Sequence, residues 1–200
     1  MKVPDILTLS RLGLAAILIG LLTMHPPFGF TVGLFVFLIA GFTDILDGVL
    51  ARHVYGESDF GRLMDPLTDK VLVCAAFIAL VELRVVMAWI VVLIITREFL
   101  VTGLRLLAAS RGQIIAAGFW GKHKTISQMV TIIVLLAGLS FRHDWEYRWP
   151  AESVRWFDVS FAYVSFALCW FVALITALSG VVYFVQHRHL LVSDAPKQKK

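Results

Sequence analysis

No Asp, Glu, Lys or Arg interrupts the stretch from Leu12 to Thr43. That is too long for one membrane crossing, which needs about 20 mostly apolar residues. His25-Pro26-Pro27 breaks it in the middle, because each proline ring removes a backbone donor and blocks the preceding turn. The pattern predicts helices over 6–24 and 28–50. Further apolar stretches predict helices over 63–82, over 86–108 with Arg97, Glu98 and Arg105 in its second half, over 122–141, and from Val159 to Gln186. The expectation is an all-α, polytopic membrane protein with six transmembrane helices and both termini on one side.

Composition agrees with that pattern. Hydrophobic residues make up 59% of the 200 and charged residues 16%, against roughly 45–50% and about 25% in a soluble domain. Disorder is excluded by the apolar content. A disulfide scaffold is excluded by a total of two cysteines, and core packing is the expected role of Cys74 and Cys169. Neither a cleavable signal peptide nor a nucleic-acid module is apparent. A single domain over 1–190 is expected, followed by a basic, solvated tail over 191–200.

The net charge of +4 matters through its distribution. Lys2, Arg52, Arg62, Arg111, Lys122, Lys124, Arg188, Lys197, Lys199 and Lys200 fall on the side of the termini. The opposite loops hold Arg84, Arg142, Arg148 and Arg155 among five acids. Positive residues favour the cytoplasmic side, so the orientation is N-in and C-in. Trp145, Tyr147, Trp149 and Trp156 read as an aromatic belt at the far interface.

The informative segment runs from Asp44 to Asp69. Asp44 and Asp47 are three apart, Asp65 and Asp69 four apart, so each pair shares a helix face. Two such helices side by side would converge four carboxylates. Charges at membrane depth face a cavity, a partner or an ion. Oxygen-only ligands suit hard cations such as Mg²⁺ or Mn²⁺. The plainer alternative is helix caps and surface charges, and Asp65 before Pro66 has the form of an N-cap followed by proline. Gly48 and Ala51 leave room beside the carboxylates, Arg52 offers a phosphate fork, and Gly56 and Gly61 allow tight turns.

The whole pattern is Asp44, two residues, Asp47-Gly48, two residues, Ala51-Arg52, eight residues, Gly61, three residues, Asp65, three residues, Asp69. It matches the CDP-alcohol phosphotransferase signature at every position. PDILTLSRL at 4–12 resembles the PNxLTxxR opening of that family's bacterial phosphatidylglycerophosphate synthases, with Asp5 in place of the usual Asn. TREFLVTGLR at 96–105 and WGKHKTISQM at 120–129 resemble two further segments of theirs.

This resemblance implies a six-helix membrane enzyme, often a homodimer, that transfers the phosphatidyl group of CDP-diacylglycerol to an alcohol and releases CMP. It implies two divalent cations, Mg or Mn, held by Asp44, Asp47, Asp65 and Asp69, with Asp69 also the general base. Thr8, Arg11, Gly48, Arg52, Ser58 and Gly61 would lie along the donor. It also implies a bacterial inner-membrane location with the active site toward the cytoplasm.

Arg97, Arg105 and Lys124 bear on the acceptor. They either snorkel or pair with Glu98, or they hold an anionic acceptor. Glu98 adjoins Arg97 in sequence but points to another helix face, so it is not expected to serve both arginines. Glycerol 3-phosphate carries the needed charge, as does inositol phosphate; inositol and serine lack a phosphate. His53 and His123 are expected to be solvated. A transporter with intramembrane acids is the competing class, but the acids gather toward one side and no duplicated half is present. An assembly subunit would leave the eight-residue pattern unexplained.

Overall fold

In a computed structural model, the described residues are 3–54, 59–110 and 119–188, with side chains for 10–43, 70–109, 121 and 123–188. They form α1 (Val3–Met24), α2 (Gly29–Val54), α3 (Asp59–Glu82), α4 (Ala88–Ser110), α5 (Phe119–Ser140) and α6 (Ala151–His187). Each packs on two neighbours, so the helices close a ring in the order α1, α3, α4, α6, α5, α2. Weaker contacts of α3 with α5 and with α2 cross its centre. Leu18, Leu22, Phe37, Phe77, Ile94 and Leu136 are among the side chains fully buried inside. The outside is apolar as well: Phe42, Val92, Phe99 and Val185 are all exposed. Helices that are apolar all round belong in lipid.

Two stretches of described helix, His123–Arg148 and Ala151–His187, are long and apolar enough to cross a membrane by themselves. Ser10–Met24 and Gly29–Thr43 are shorter apolar helices. The 37 residues of α6 span about 55 Å at 1.5 Å each, well beyond a hydrocarbon core of about 30 Å. The apolar pattern placed its start at Val159; the helix begins at Ala151. The polar turns ahead of the apolar run are helical too, entered through Pro150, whose fixed φ suits a helix start.

The connections follow from local chemistry. At the end of α3, the Val85 amide bonds the Leu80 carbonyl at 3.0 Å and the Arg84 amide bonds that of Val81 at 2.9 Å. This is a Schellman motif, and its left-handed position, usually glycine, is Arg84 with φ of 58°. The α1–α2 turn is tighter. His25 and Phe28 take φ of 50° and 58° around the two prolines, and the Gly29 amide bonds the Pro26 carbonyl at 2.8 Å. Four residues on, a side chain at Gly33 would sit 3.3 Å from Leu22 Cδ2, so the small residue lets α2 lie close on α1. Gly138 does the same for α5 and α6, where the Phe161 ring occupies the place of a Cβ.

Beyond α5 the chain continues as a π-helical turn, Phe141–Trp145. The turn sends Asp144, which is 8% exposed, toward the start of α2. Its Oδ2 accepts from the Thr31 amide and from the Thr31 hydroxyl, both at 2.7 Å. Since a hydroxyl has one hydrogen, Thr31 Oγ1 then accepts from Ser140 Oγ at 2.6 Å and from Trp145 Nε1 at 3.1 Å. The α2 N-terminus is thus capped from 113 residues away. Trp145 is consequently tied into the protein, whereas Tyr147, Trp149 and Trp156 are exposed at that end.

Candidate functional site

A cavity of about 480 Å³ opens between α3, α4 and α5. Lys70, Arg97, Glu98, Thr102, Arg105, Lys124 and Thr125 supply its polar lining. Spacing on α4 explains part of this arrangement. Arg97, Val101 and Arg105 recur every four residues, and Glu98 and Thr102 form the adjacent row. Lys124 enters from α5, at the head of a polar stripe continued by Ser127, Gln128 and Thr131, all buried. That stripe in an apolar helix is legible at 124–131, and the sequence reading left it unused. Ser127 and Thr131 satisfy their hydroxyls on the carbonyls of Lys124 and Ser127, at 2.7 and 2.8 Å.

Glu98 is the hub. Its Oε1 accepts from Arg97 Nη1 at 3.1 Å and from Lys124 Nζ. Glu98 is 7% exposed and Lys124 3%, so solvent screens this pair little. The expectation for Glu98 holds, and so does the alternative of pairing with it for Arg97 and Lys124. Glu98 does not serve both arginines, but it does bind the adjacent Arg97, because two long side chains curl together despite starting on different faces. Its second partner is the lysine 26 residues ahead. Thr102 Oγ1 donates to the Glu98 carbonyl at 2.7 Å and accepts from Lys70 Nζ. Arg105 stacks over Tyr183 of α6, 5.6 Å from the ring centroid.

The three residues expected to meet an acceptor phosphate, Arg97, Arg105 and Lys124, therefore line one cavity. Lys70 joins them, and the sequence reading missed it. The signal was its place directly after Asp69, which makes the cavity wall begin one residue past the last motif aspartate. Four cations against one carboxylate leave an excess of three positive charges among the described lining residues.

Asp44, Asp47, Gly48 and Arg52 lie on the helical backbone of α2, and Gly61, Asp65 and Asp69 on that of α3. Their side chains lie outside the described residues, as does that of Thr8 on α1; Ser58 and the tail over 191–200 lie outside altogether. Arg11 is buried on α1. Because both segments are helical, each aspartate pair keeps the spacing that shares a face. A donor set made only of carboxylates suits a hard divalent cation. Cys74 and Cys169 are free thiols, the second buried, and His123 is exposed.

A family profile described as CDP-alcohol phosphatidyltransferase matches residues 1–177. The chain belongs to that family. The match covers every described helix through most of α6 and contains both aspartate pairs and the cationic cavity. A Bacillus subtilis protein named CDP-diacylglycerol--glycerol-3-phosphate 3-phosphatidyltransferase is 36% identical over 197 residues, covering 92% of this chain and 93% of its own length. A protein of the same name from Cereibacter sphaeroides is 32% identical, with 92% and 94% covered. Another, from Haemophilus influenzae, is 40% identical over 114 residues, 54% of this chain and 59% of its own. By family this CDP-alcohol phosphatidyltransferase is a transferase, and its apolar helices fit a protein of the membrane.

Proposed function

We propose that this chain transfers the phosphatidyl group from CDP-diacylglycerol to glycerol 3-phosphate, giving phosphatidylglycerophosphate and CMP. The observation that carries the reading is the cavity in which Lys70, Arg97, Arg105 and Lys124 meet beside the helix of Asp65 and Asp69. An excess of positive charge in a poorly solvated site attracts a phosphate dianion and gives a neutral alcohol nothing to match. The printed names of the relatives in Bacillus subtilis and Cereibacter sphaeroides support the same acceptor.

In this reading Arg105 and Lys124 hold the acceptor phosphate, with Lys70 and Arg97 beside them. The acceptor hydroxyl is thereby turned toward α3, where Asp69 takes its proton during attack. The oxygen bonds to the phosphorus on the diacylglycerol side of the pyrophosphate, and the bond to the CMP oxygen breaks. Thr8, Arg11, Gly48, Arg52, Ser58 and Gly61 line the donor. Asp44, Asp47, Asp65 and Asp69 would hold two divalent cations, Mg or Mn, which supply electrostatic stabilisation of the attacking and leaving oxygens. Transfer is direct in this reading, with no phosphatidyl-enzyme intermediate, and a phosphatidyl-enzyme adduct would refute it.

The protein is read further as one domain over 1–190 that crosses the bacterial inner membrane six times, N-in and C-in. The aspartates then face the cytoplasm, and two copies form a homodimer. The excess of basic residues on the side of the termini supports that orientation.

The test is purified protein with CDP-diacylglycerol and either Mg or Mn, given glycerol 3-phosphate, inositol phosphate, inositol and serine in parallel. CMP release with glycerol 3-phosphate alone, lost on chelation and restored by the cation, is expected. Release with inositol phosphate instead reassigns the acceptor, and release with none refutes the enzyme reading.

A further inference from the structure

We infer that Glu98 is a positioning residue for the acceptor: its carboxylate holds Lys124 and Arg97 where they can bind the acceptor phosphate. The inference rests on the acceptor cavity proposed above.

A carboxylate is out of place in a pocket for an anion, because it repels the ligand. The proposed transfer does not use it, so its presence needs another cause, and the geometry supplies one. Lys124 is 3% exposed. An ammonium that far from water persists only beside a counter-charge, and Glu98 Oε1 is the counter-charge at hand. One of the three ammonium donors goes to that oxygen, which leaves two for a ligand. The same oxygen holds Arg97 Nη1 at 3.1 Å, so a single atom fixes two of the four cations.

The rest of this turn of α4 extends the hold to α3. The Glu98 carbonyl accepts from Thr102 Oγ1, and Thr102 Oγ1 accepts from Lys70 Nζ. Lys70 follows Asp69. Residues 98–102 thus tie the cavity's cations on α5, α4 and α3 to one another, with the proposed base next along the chain. A fixed frame of this kind holds the acceptor hydroxyl at one distance from that base. Misplacement by about 1 Å is enough to slow a reaction strongly.

The experiment compares wild type, E98Q, E98D and R105Q, purified in detergent and saturated with CDP-diacylglycerol, with glycerol 3-phosphate varied. E98Q keeps an acceptor oxygen and loses the charge; E98D keeps the charge one methylene short. E98Q is expected to raise the acceptor KM about tenfold, the scale of one lost charge-assisted hydrogen bond. Its donor KM should stay within about twofold, while kcat at saturating acceptor falls, because the acceptor hydroxyl is no longer held at one distance from the base. E98D is expected to recover part of the acceptor affinity. An unchanged acceptor KM in E98Q overturns the inference, as does an equal loss toward both substrates with a lowered melting temperature, the mark of a structural role. If E98Q does not accumulate, E98D carries the test, and an unaltered acceptor KM in it is equally fatal. R105Q separates the two levels. If it leaves the acceptor KM unchanged, the cavity reading fails and this inference with it; if it raises the KM while E98Q does not, the assignment of Glu98 alone falls.

Discussion

Replacing Asp144 with Ala probes how a side chain far from the cavity holds α2 in place. Asp144 is 8% exposed and accepts two hydrogen bonds of 2.7 Å, from the amide and the hydroxyl of Thr31. The amide lies in the first turn of α2, where backbone donors lack intrahelical partners and the helix dipole favours a negative charge. Hydrogen bonds to a charged group contribute about 1.5–3 kcal/mol each, but they are not additive at one carboxylate. Freed from Asp144, the Thr31 hydroxyl can turn its hydrogen to Ser140, so one donor, the amide, stays stranded. The expected loss is therefore about 2–3 kcal/mol, or roughly 5–10 °C in melting temperature for a chain of this size. Asp144→Asn keeps the shape and one acceptor, so it should lose about half as much. The assay is thermal unfolding in detergent, followed by tryptophan emission, since Trp145 Nε1 donates to the same hydroxyl at 3.1 Å. A double-mutant cycle with Thr31→Val adds the specific test, because two residues in one network should couple. An unchanged melting temperature in Asp144→Ala would refute the capping argument, and strictly additive losses in the cycle would remove the Thr31 hydroxyl from it.

Three further outcomes are expected. Asp69→Asn should abolish turnover while CDP-diacylglycerol binding, measured by titration, is largely kept; normal activity would remove Asp69 as the base. Gly138→Ala places a methyl where the Phe161 ring now sits, 2.0 Å from Cε2, and should cost about 1–3 kcal/mol through overpacking. Adding Phe161→Leu should return most of that melting temperature, and failure to do so would locate the clash elsewhere. Arg84→Gly relieves a side chain held at φ of 58° and should stabilise by roughly 0.5–1 kcal/mol in the same melts; a destabilised variant would mean that the Arg84 side chain has a role of its own.

Much of the fold is legible in the chain because helix formation depends on near neighbours. Helix boundaries fall within a few residues of the apolar runs, and Pro26-Pro27 marks its turn by ring geometry alone. The α6 start differs because the apolar run reports what faces lipid, while the helix needs only helix-compatible residues after Pro150. The family, too, follows from fixed gaps between aspartates and glycines, which a linear chain displays directly.

The site divides along the same line. The sequence by itself determined which residues carry charge into an apolar chain, and Arg97, Arg105 and Lys124 stood out there because burying a charge is costly. Only the tertiary structure decided what those charges meet. Lys70 joins Thr102 across 32 residues, Lys124 joins Glu98 across 26, and Asp144 caps α2 across 113. Periodicity describes one helix at a time, and it is silent on which helices become neighbours in the ring. A buried charge takes the partner that packing brings within reach, and that choice is made only when the bundle closes.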